Sequence, residues 1–222
     1  MRTIAVIPAY NEASRVARVV ADAAKFVDRV IVVDDGSSDA TGDIAEKAGA
    51  LVLRHVENCG AGAATMTGIA GARLLGADTV VTLDADEQHS PDDIPALLER
   101  ITREGFDVAF ANRFGRRNRI PGIRRFFNAV GNIITFIATG KWVSDSQCGF
   151  KAFGPRAVAE IDLKMSGYEF CTEIVRECAQ HGWKTADVPA KVLYSEYTLA
   201  KGQSFANGVR TALRILLRSF MR

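Results

Sequence analysis

The sequence predicts an α/β fold, a mostly parallel sheet flanked by helices, and three observations carry that reading. Over the first hundred residues, short β-branched apolar runs alternate with amphipathic stretches. Runs apolar throughout suit parallel strands covered on both faces. Each distinctive polar motif in this half falls where a run ends, at the rim where parallel sheets bind their ligands.

The elements follow in order. Residues 3–7 read as a first strand and 12–27 as a helix. Residues 29–33, RVIVV, form a second strand, followed by a helix over 40–48 and a third strand over 50–53. An Ala/Gly-rich helix over 62–75 leads to a fourth strand over 79–83. Ser90-Pro91 opens the next helix, with Ser90 as N-cap and Pro91 in its first turn. A fifth strand spans 106–111. Residues 112–125, rich in Arg, Gly and Asn, read as a mobile loop, and 124–138 as a helix. An irregular segment precedes a helix over 172–181 and a strand over 185–188. Residues 194–204 read as a loop and 205–222 as a final helix. Asp39 is expected to cap a helix, and Asp92 and Asp93 to be first-turn acids facing a helix dipole.

The 222 residues suffice for one large domain with a real core. A net charge of +2 gives no whole-molecule field toward nucleic acid, so no nucleic-acid partner is expected. Four cysteines form no C-x-x-C pair, and reduced buried thiols in the cytoplasm are expected. No signal peptide is expected from the opening residues. The longest apolar region, 126–138, is interrupted by Asn128, Gly131 and Asn132 and is too short to span a bilayer. Membrane contact is therefore expected to be peripheral.

Three motifs end strands: Pro8-Ala9-Tyr10-Asn11-Glu12, Asp34-Asp35-Gly36-Ser37-Ser38-Asp39 and Asp84-Ala85-Asp86-Glu87-Gln88-His89. If the fourth strand persists, Asp84 and Asp86 point the same way. Two carboxylates a few ångströms apart repel by about 4 kcal/mol at an effective dielectric near 20. A divalent cation would relieve this; hard oxygen ligands suit Mg²⁺ or Mn²⁺, with Gln88 adding a neutral oxygen. Such an ion can neutralise charge on a diphosphate leaving group.

In that order and spacing, PAYNE, DDGSSD and DADEQHSP resemble the inverting glycosyltransferases of family 2, with the GT-A fold. Asp145-Ser146-Gln147-Cys148-Gly149-Phe150-Lys151 resembles a stretch of dolichyl-phosphate glucosyltransferases and prokaryotic polyprenyl-phosphate hexose synthases. The resemblance implies that Pro8, Tyr10 and Glu12 line the nucleoside pocket and that Asp35 contacts base or ribose. It implies that Asp84 sits by the donor sugar and ribose, and that Asp86 binds the metal with Gln88. Arg113 and Arg125 match arginines of the acceptor side; guanidinium forks suit phosphate. Where the family often has a lysine, Asn58-Cys59-Gly60-Ala61-Gly62 has Ala61, so any phosphate contact such a lysine would supply is not carried over to this chain. The same stretch lacks the third glycine of a dinucleotide fingerprint and follows the third strand, not the first.

A phosphate acceptor is already anionic and needs cations rather than a base; Arg113, Arg125, Lys151 and Lys201 are candidates. A hydroxyl acceptor needs a general base, for which Asp145 and Glu169, or Glu173, are available. The last helix sets Val209, Leu213, Leu216, Leu217 and Phe220 on one face and repeats arginine at 210, 214, 218 and 222. A basic amphipathic helix of this kind suits an anionic membrane surface, and its apolar face alternatively suits the domain core. The expected division is a GT-A catalytic domain over 1–204, with a nucleotide-sugar half (1–111) and an acceptor half (112–204), then the helix 205–222. The expected activity is transfer of a hexose, from UDP-glucose or UDP-N-acetylglucosamine, to a polyprenyl or dolichyl phosphate at the cytoplasmic face of the membrane. GDP-mannose stays open as donor. A polysaccharide or protein hydroxyl stays open as acceptor, as does a non-catalytic nucleotide-sugar-binding protein.

Overall fold

The structure, a computed structural model, describes residues 1–116, 118 and 120–193. Lys201, the loop 194–204 and the helix expected over 205–222 lie outside them. Among the described residues seven strands, β1 (Thr3–Ala9), β2 (Arg29–Asp34), β3 (Leu51–Arg54), β4 (Thr79–Thr82), β5 (Val108–Asn112), β6 (Lys151–Phe153) and β7 (Thr185–Pro189), form one sheet. Their order is β3-β2-β1-β4-β6-β5-β7, and every neighbour is parallel except β6, which runs against β4 and β5. Among the described residues seven α-helices flank it: α1 (Val16–Ala23), α2 (Thr41–Lys47), α3 (Ala61–Leu74), α4 (Ile94–Thr102), α5 (Gly122–Thr139), α6 (Pro155–Glu160) and α7 (Phe170–Gln180).

Alternation along the strands divides the core in two. Ala5, Ile7, Val30 and Val32 face one side and pack with Val16, Val19 and Val20 of α1 and Leu97 of α4. Ile4, Val6, Ile31 and Val33 face the other, with Ile69 of α3, Ala157 of α6 and Ile174 of α7. Both faces are covered, which is why these strands read as unbroken apolar runs.

The elements differ from the sequence expectations in three respects. The first helix is shorter, because the Glu12 carbonyl accepts from Arg15 and Val16 N–H and closes a turn before α1 begins. The segment read as irregular contains β6 and α6, too short at three and six residues to show a period. The fourth strand ends at Thr82, so Asp84 and Asp86 stand on the turn beyond it, bent by Glu87 at φ 61°, rather than on a continuing strand. Asp92 and Asp93 do lie in a first helical turn, as expected, but Asp93 has further partners. It is buried, accepts from Lys191 N–H at 2.6 Å and pairs with Arg116 at 3.0 Å.

Candidate active site

The rim at the carboxyl ends of β1, β2, β4 and β5 is where the motifs meet, and β6, running backwards, starts there too. Loops after β1 and β2 are stitched together: Asn11 N–H donates to Ser37 Oγ at 3.0 Å, and Asn11 Oδ1 accepts from Ser38 N–H at 2.9 Å. Glu12 N–H donates to Thr41 Oγ1 at 2.7 Å, and Asp39 accepts from Thr41 N–H and from Ala13 N–H. Asp39 thus serves the start of α2 from one residue before its cap, Ala40. Asp35 is buried, and its oxygens accept from His55 Nδ1 at 2.7 Å, Cys59 N–H at 2.9 Å and Gly60 N–H at 2.8 Å. His55 Nε2 meets Thr67 Oγ1 at 3.0 Å. Oxygen, nitrogen and sulphur of Asp35, His55 and Cys59 lie within 4.8 Å of one another.

Gly60 has φ +97°, and a Cβ there would overlap the carbonyl oxygen of Ser166. Glycine is what lets the start of α3 lie against the loop before α7. Glu173 holds that loop from the other side, accepting from Lys164 and Met165 N–H at 2.8–3.1 Å. It is a buried acid, not an exposed helix residue.

The next loop carries the acid pair. Asp86 Oδ1 accepts from Gln88 N–H at 2.9 Å. Burial first, and then the Asp84 carboxylate, hold the Asp86 carboxyl above the usual range; Glu12 pushes the same way, while His89 and the Gln88 N–H pull against it. Acids from two loops thus share one field. Asp84 remains partly open to solvent, and His89 Nδ1 lies 3.5 Å from its Oδ2. Burial would push the His89 imidazole down. Cys148, 3.5 Å from Nε2, and the Asp84 and Asp86 carboxylates outweigh it and hold it at about 9. No role was read for His89 from the sequence, although it stands inside a quoted motif. A Cβ on Gly149 would lie 2.7 Å from both Asp84 oxygens, so only glycine lets the 145–151 segment back directly onto that carboxylate.

On the acceptor side, Arg113 Nε and Nη2 each donate to the Asp145 carboxylate at 2.7 Å, and Arg113 N–H donates at 3.0 Å. The pair is buried. Asp145, expected as a possible base, is instead the forked partner that orients Arg113. Lys151 departs further from expectation. It is fully buried between Thr82 and Phe110 in register, its ammonium directed at the Cys148 carbonyl and lying 5.7 Å from the Phe110 ring centre, so it does not face an acceptor phosphate. Arg125 is exposed on the first turn of α5. Glu169 is buried at the start of α7, behind exposed Tyr168. Pro8 is half-buried and Tyr10 exposed at the mouth. The chain returns over this rim before residue 194: Leu193 N–H donates to the Gln88 carbonyl at 2.9 Å, and His89 bridges Val192.

Residues 4–161 match the sequence profile of glycosyl transferase family 2. The chain belongs to that family. It is a glycosyltransferase with the GT-A fold. The UDP-N-acetylglucosamine–dolichyl-phosphate N-acetylglucosaminyltransferase of Methanococcus voltae is 32% identical over 96% of this chain and 94% of its own. The undecaprenyl-phosphate mannosyltransferase of Micrococcus luteus is 29% identical over 96% of this chain and 95% of its own. Among solved structures, glucosyl-3-phosphoglycerate synthase from Mycobacterium tuberculosis, bound to UDP, superposes with a TM-score of 0.76 at 20% identity. It covers 98% of this chain and 80% of its own. That likeness establishes the fold.

Proposed function

We propose that this glycosyltransferase moves a hexose, with inversion, from UDP-glucose or UDP-N-acetylglucosamine to the phosphate of a polyprenyl or dolichyl phosphate. The observation that carries the reading is the acid pair Asp84 and Asp86 at the rim of a parallel sheet, with Asp86 ionising against burial and against its neighbour. The names of the relatives support the lipid-phosphate acceptor.

A divalent cation fits these residues. The donor set is hard oxygen, and the raised Asp86 carboxyl marks more negative charge than the pocket stabilises by itself. The synthase of the same fold has been crystallised with Mn²⁺ and with Mg²⁺, in both cases with UDP. In this reading Asp86 and Gln88 hold the ion, which when bound neutralises charge on the departing diphosphate. Pro8, Tyr10, Glu12 and Asp35 line the nucleoside side, and Asp84 meets the donor ribose and sugar.

An acceptor phosphate needs no proton removed, only cations to place it. Arg113, aimed by Asp145, and Arg125 supply them here, with Lys201 beyond the described residues. Because Asp145 is committed to Arg113, Glu169 is the remaining acid for a hydroxyl acceptor. The catalytic unit is 1–204, divided into donor (1–111) and acceptor (112–204) halves, with 205–222 resting on anionic lipid at the cytoplasmic face.

The test is a panel of labelled nucleotide sugars, with Mg²⁺ or Mn²⁺ and a polyprenyl phosphate. Label entering the organic phase from a UDP-hexose is expected. Transfer only to soluble hydroxyl acceptors, lost on Glu169→Gln, would overturn the acceptor assignment.

A further inference from the structure

The side chains of His55 and Cys59 have no part in the proposed reaction, yet the fold sets both beside Asp35. The spacing His55-x-x-x-Cys59 is by itself no metal motif. The end of β2 adds a third donor to it, so that nitrogen, sulphur and oxygen all lie within 4.8 Å of one another. Asp35 is buried, His55 half-buried and Cys59 exposed, so the set opens to solvent at the sulphur. Cys148, Cys171 and Cys178 are buried, which leaves Cys59 as the thiol that solvent reaches.

The two segments are held together independently of any ion. Gly36 has φ +70°, and a Cβ there would overlap the backbone of Glu57 and Asn58, so the loop after β2 lies directly on the second segment. His55 N–H donates to the Asp34 carbonyl at 2.9 Å. Two of the donor groups are also aimed by partners of their own. Cys59 N–H and Gly60 N–H each hold one Asp35 oxygen. Thr67 Oγ1, on α3, lies 3.0 Å from His55 Nε2, while Nδ1 faces Asp35 Oδ1 at 2.7 Å. A ligating imidazole is oriented in this way, by a partner on the nitrogen that does not meet the ion, and a ligating carboxylate by hydrogen bonds of its own.

We infer that Asp35, His55 and Cys59 form a binding site for Zn²⁺, distinct in its donors from the acid pair Asp84 and Asp86. Nitrogen, oxygen and sulphur ligands together suit that ion, whereas Mg²⁺ takes oxygen. A thiolate and a carboxylate balance its two charges. Three protein ligands leave the fourth tetrahedral position to water, on the open side beside Cys59. On binding, the thiol proton leaves to solvent. The imidazole stays neutral: Nδ1 gives up its proton and meets the ion, and Nε2 gains one and donates to Thr67 Oγ1. One consequence rests on the function proposed above, in which Asp35 lines the nucleoside side. An ion on Asp35 denies that carboxylate to the nucleoside. Zn²⁺ here therefore opposes donor binding, whereas the ion at Asp86 and Gln88 supports transfer.

The experiment uses the full chain, stripped with chelator and kept reduced by a phosphine, with Co²⁺ as a spectroscopic substitute for Zn²⁺. Co²⁺ is expected to raise a thiolate-to-metal charge-transfer band that persists in excess Mg²⁺ and is bleached by Zn²⁺. The band is expected to survive Asp86→Asn and to vanish in Cys59→Ser, a change at an exposed side chain that keeps the backbone N–H to Asp35. By calorimetry, Zn²⁺ is expected to bind about a hundredfold or more weakly to Cys59→Ser and about tenfold more weakly to Thr67→Val. In saturating Mg²⁺, Zn²⁺ is expected to weaken UDP binding by the wild type and not by Cys59→Ser. Absence of the band, or a band that survives Cys59→Ser, would overturn the inference. So would Zn²⁺ binding that is lost in Asp86→Asn and kept in Cys59→Ser, which would put the ion at the acid pair. None of these results touches the label-transfer test of the proposed function. Zn²⁺ bound through Cys59 with UDP binding unchanged would instead remove Asp35 from the nucleoside side and leave the metal site standing.

Discussion

At the scale of single residues, the site is a set of acids kept in tension. Asp86 is held protonation-prone by burial and by Asp84, and Gly149 backs directly onto Asp84, where any side chain would intrude. A residue selected for function rather than stability leaves a measurable trace. Asp86→Asn removes a repulsive buried charge at almost constant volume. It is expected to abolish transfer while leaving the metal-free protein as stable as the wild type, or more so by about 1 kcal/mol. The variant should also lose any Mn²⁺-dependent rise in thermal midpoint, which scanning calorimetry with and without the ion will read. Asp145 shows the opposite design, a carboxylate fully satisfied by the Arg113 fork. Breaking such a buried pair is costly because the surviving charge stays unpaired.

At the scale of elements, short glycine-containing connections bring distant segments to one rim. The start of α3 touches the loop before α7 through Gly60, whose φ of +97° and contact with Ser166 both exclude a side chain. Gly60→Ala is expected to destabilise the protein by about 1–3 kcal/mol, seen as a lowered urea midpoint at unchanged slope. Because Gly60 N–H also holds Asp35, the variant should weaken binding of UDP by calorimetry more than binding of the metal ion. β6 makes the same point about connection. It inserts antiparallel between β4 and β5 and delivers Cys148 and Gly149 beneath the acids of the β4 loop. The polar inner face of α5 anchors this segment through Ser146.

For the whole molecule, the buried charge of His89 links folding to pH. Its folded value of about 9 stands above the 6.5 of an unperturbed imidazole, so the folded state holds the proton more tightly. The stabilisation is complete below about 6.5 and is lost as pH rises through about 9, with a slope approaching 1.4 kcal/mol per pH unit between them. Urea unfolding in chelator across that window should show the fall, and His89→Gln should flatten it. The strands and most helices were legible in the sequence because buried parallel strands and amphipathic helices write their periods into it. The rim location of PAYNE, DDGSSD and DADEQH was legible for the same reason: each directly follows such a run. β6 and α6 were not, being shorter than any period. Nor was the fate of Lys151, whose charge suggested a phosphate and whose neighbours enclosed it. The sequence by itself determined the parallel strands of the sheet, the order of its motifs and their family. Only the tertiary structure decided that Asp145 belongs to Arg113, that His89 stands behind Asp84 and that His55 and Cys59 gather at Asp35. Those outcomes depend on residues distant in the chain competing for the same hydrogen bonds and the same space, and no local pattern records which partner wins.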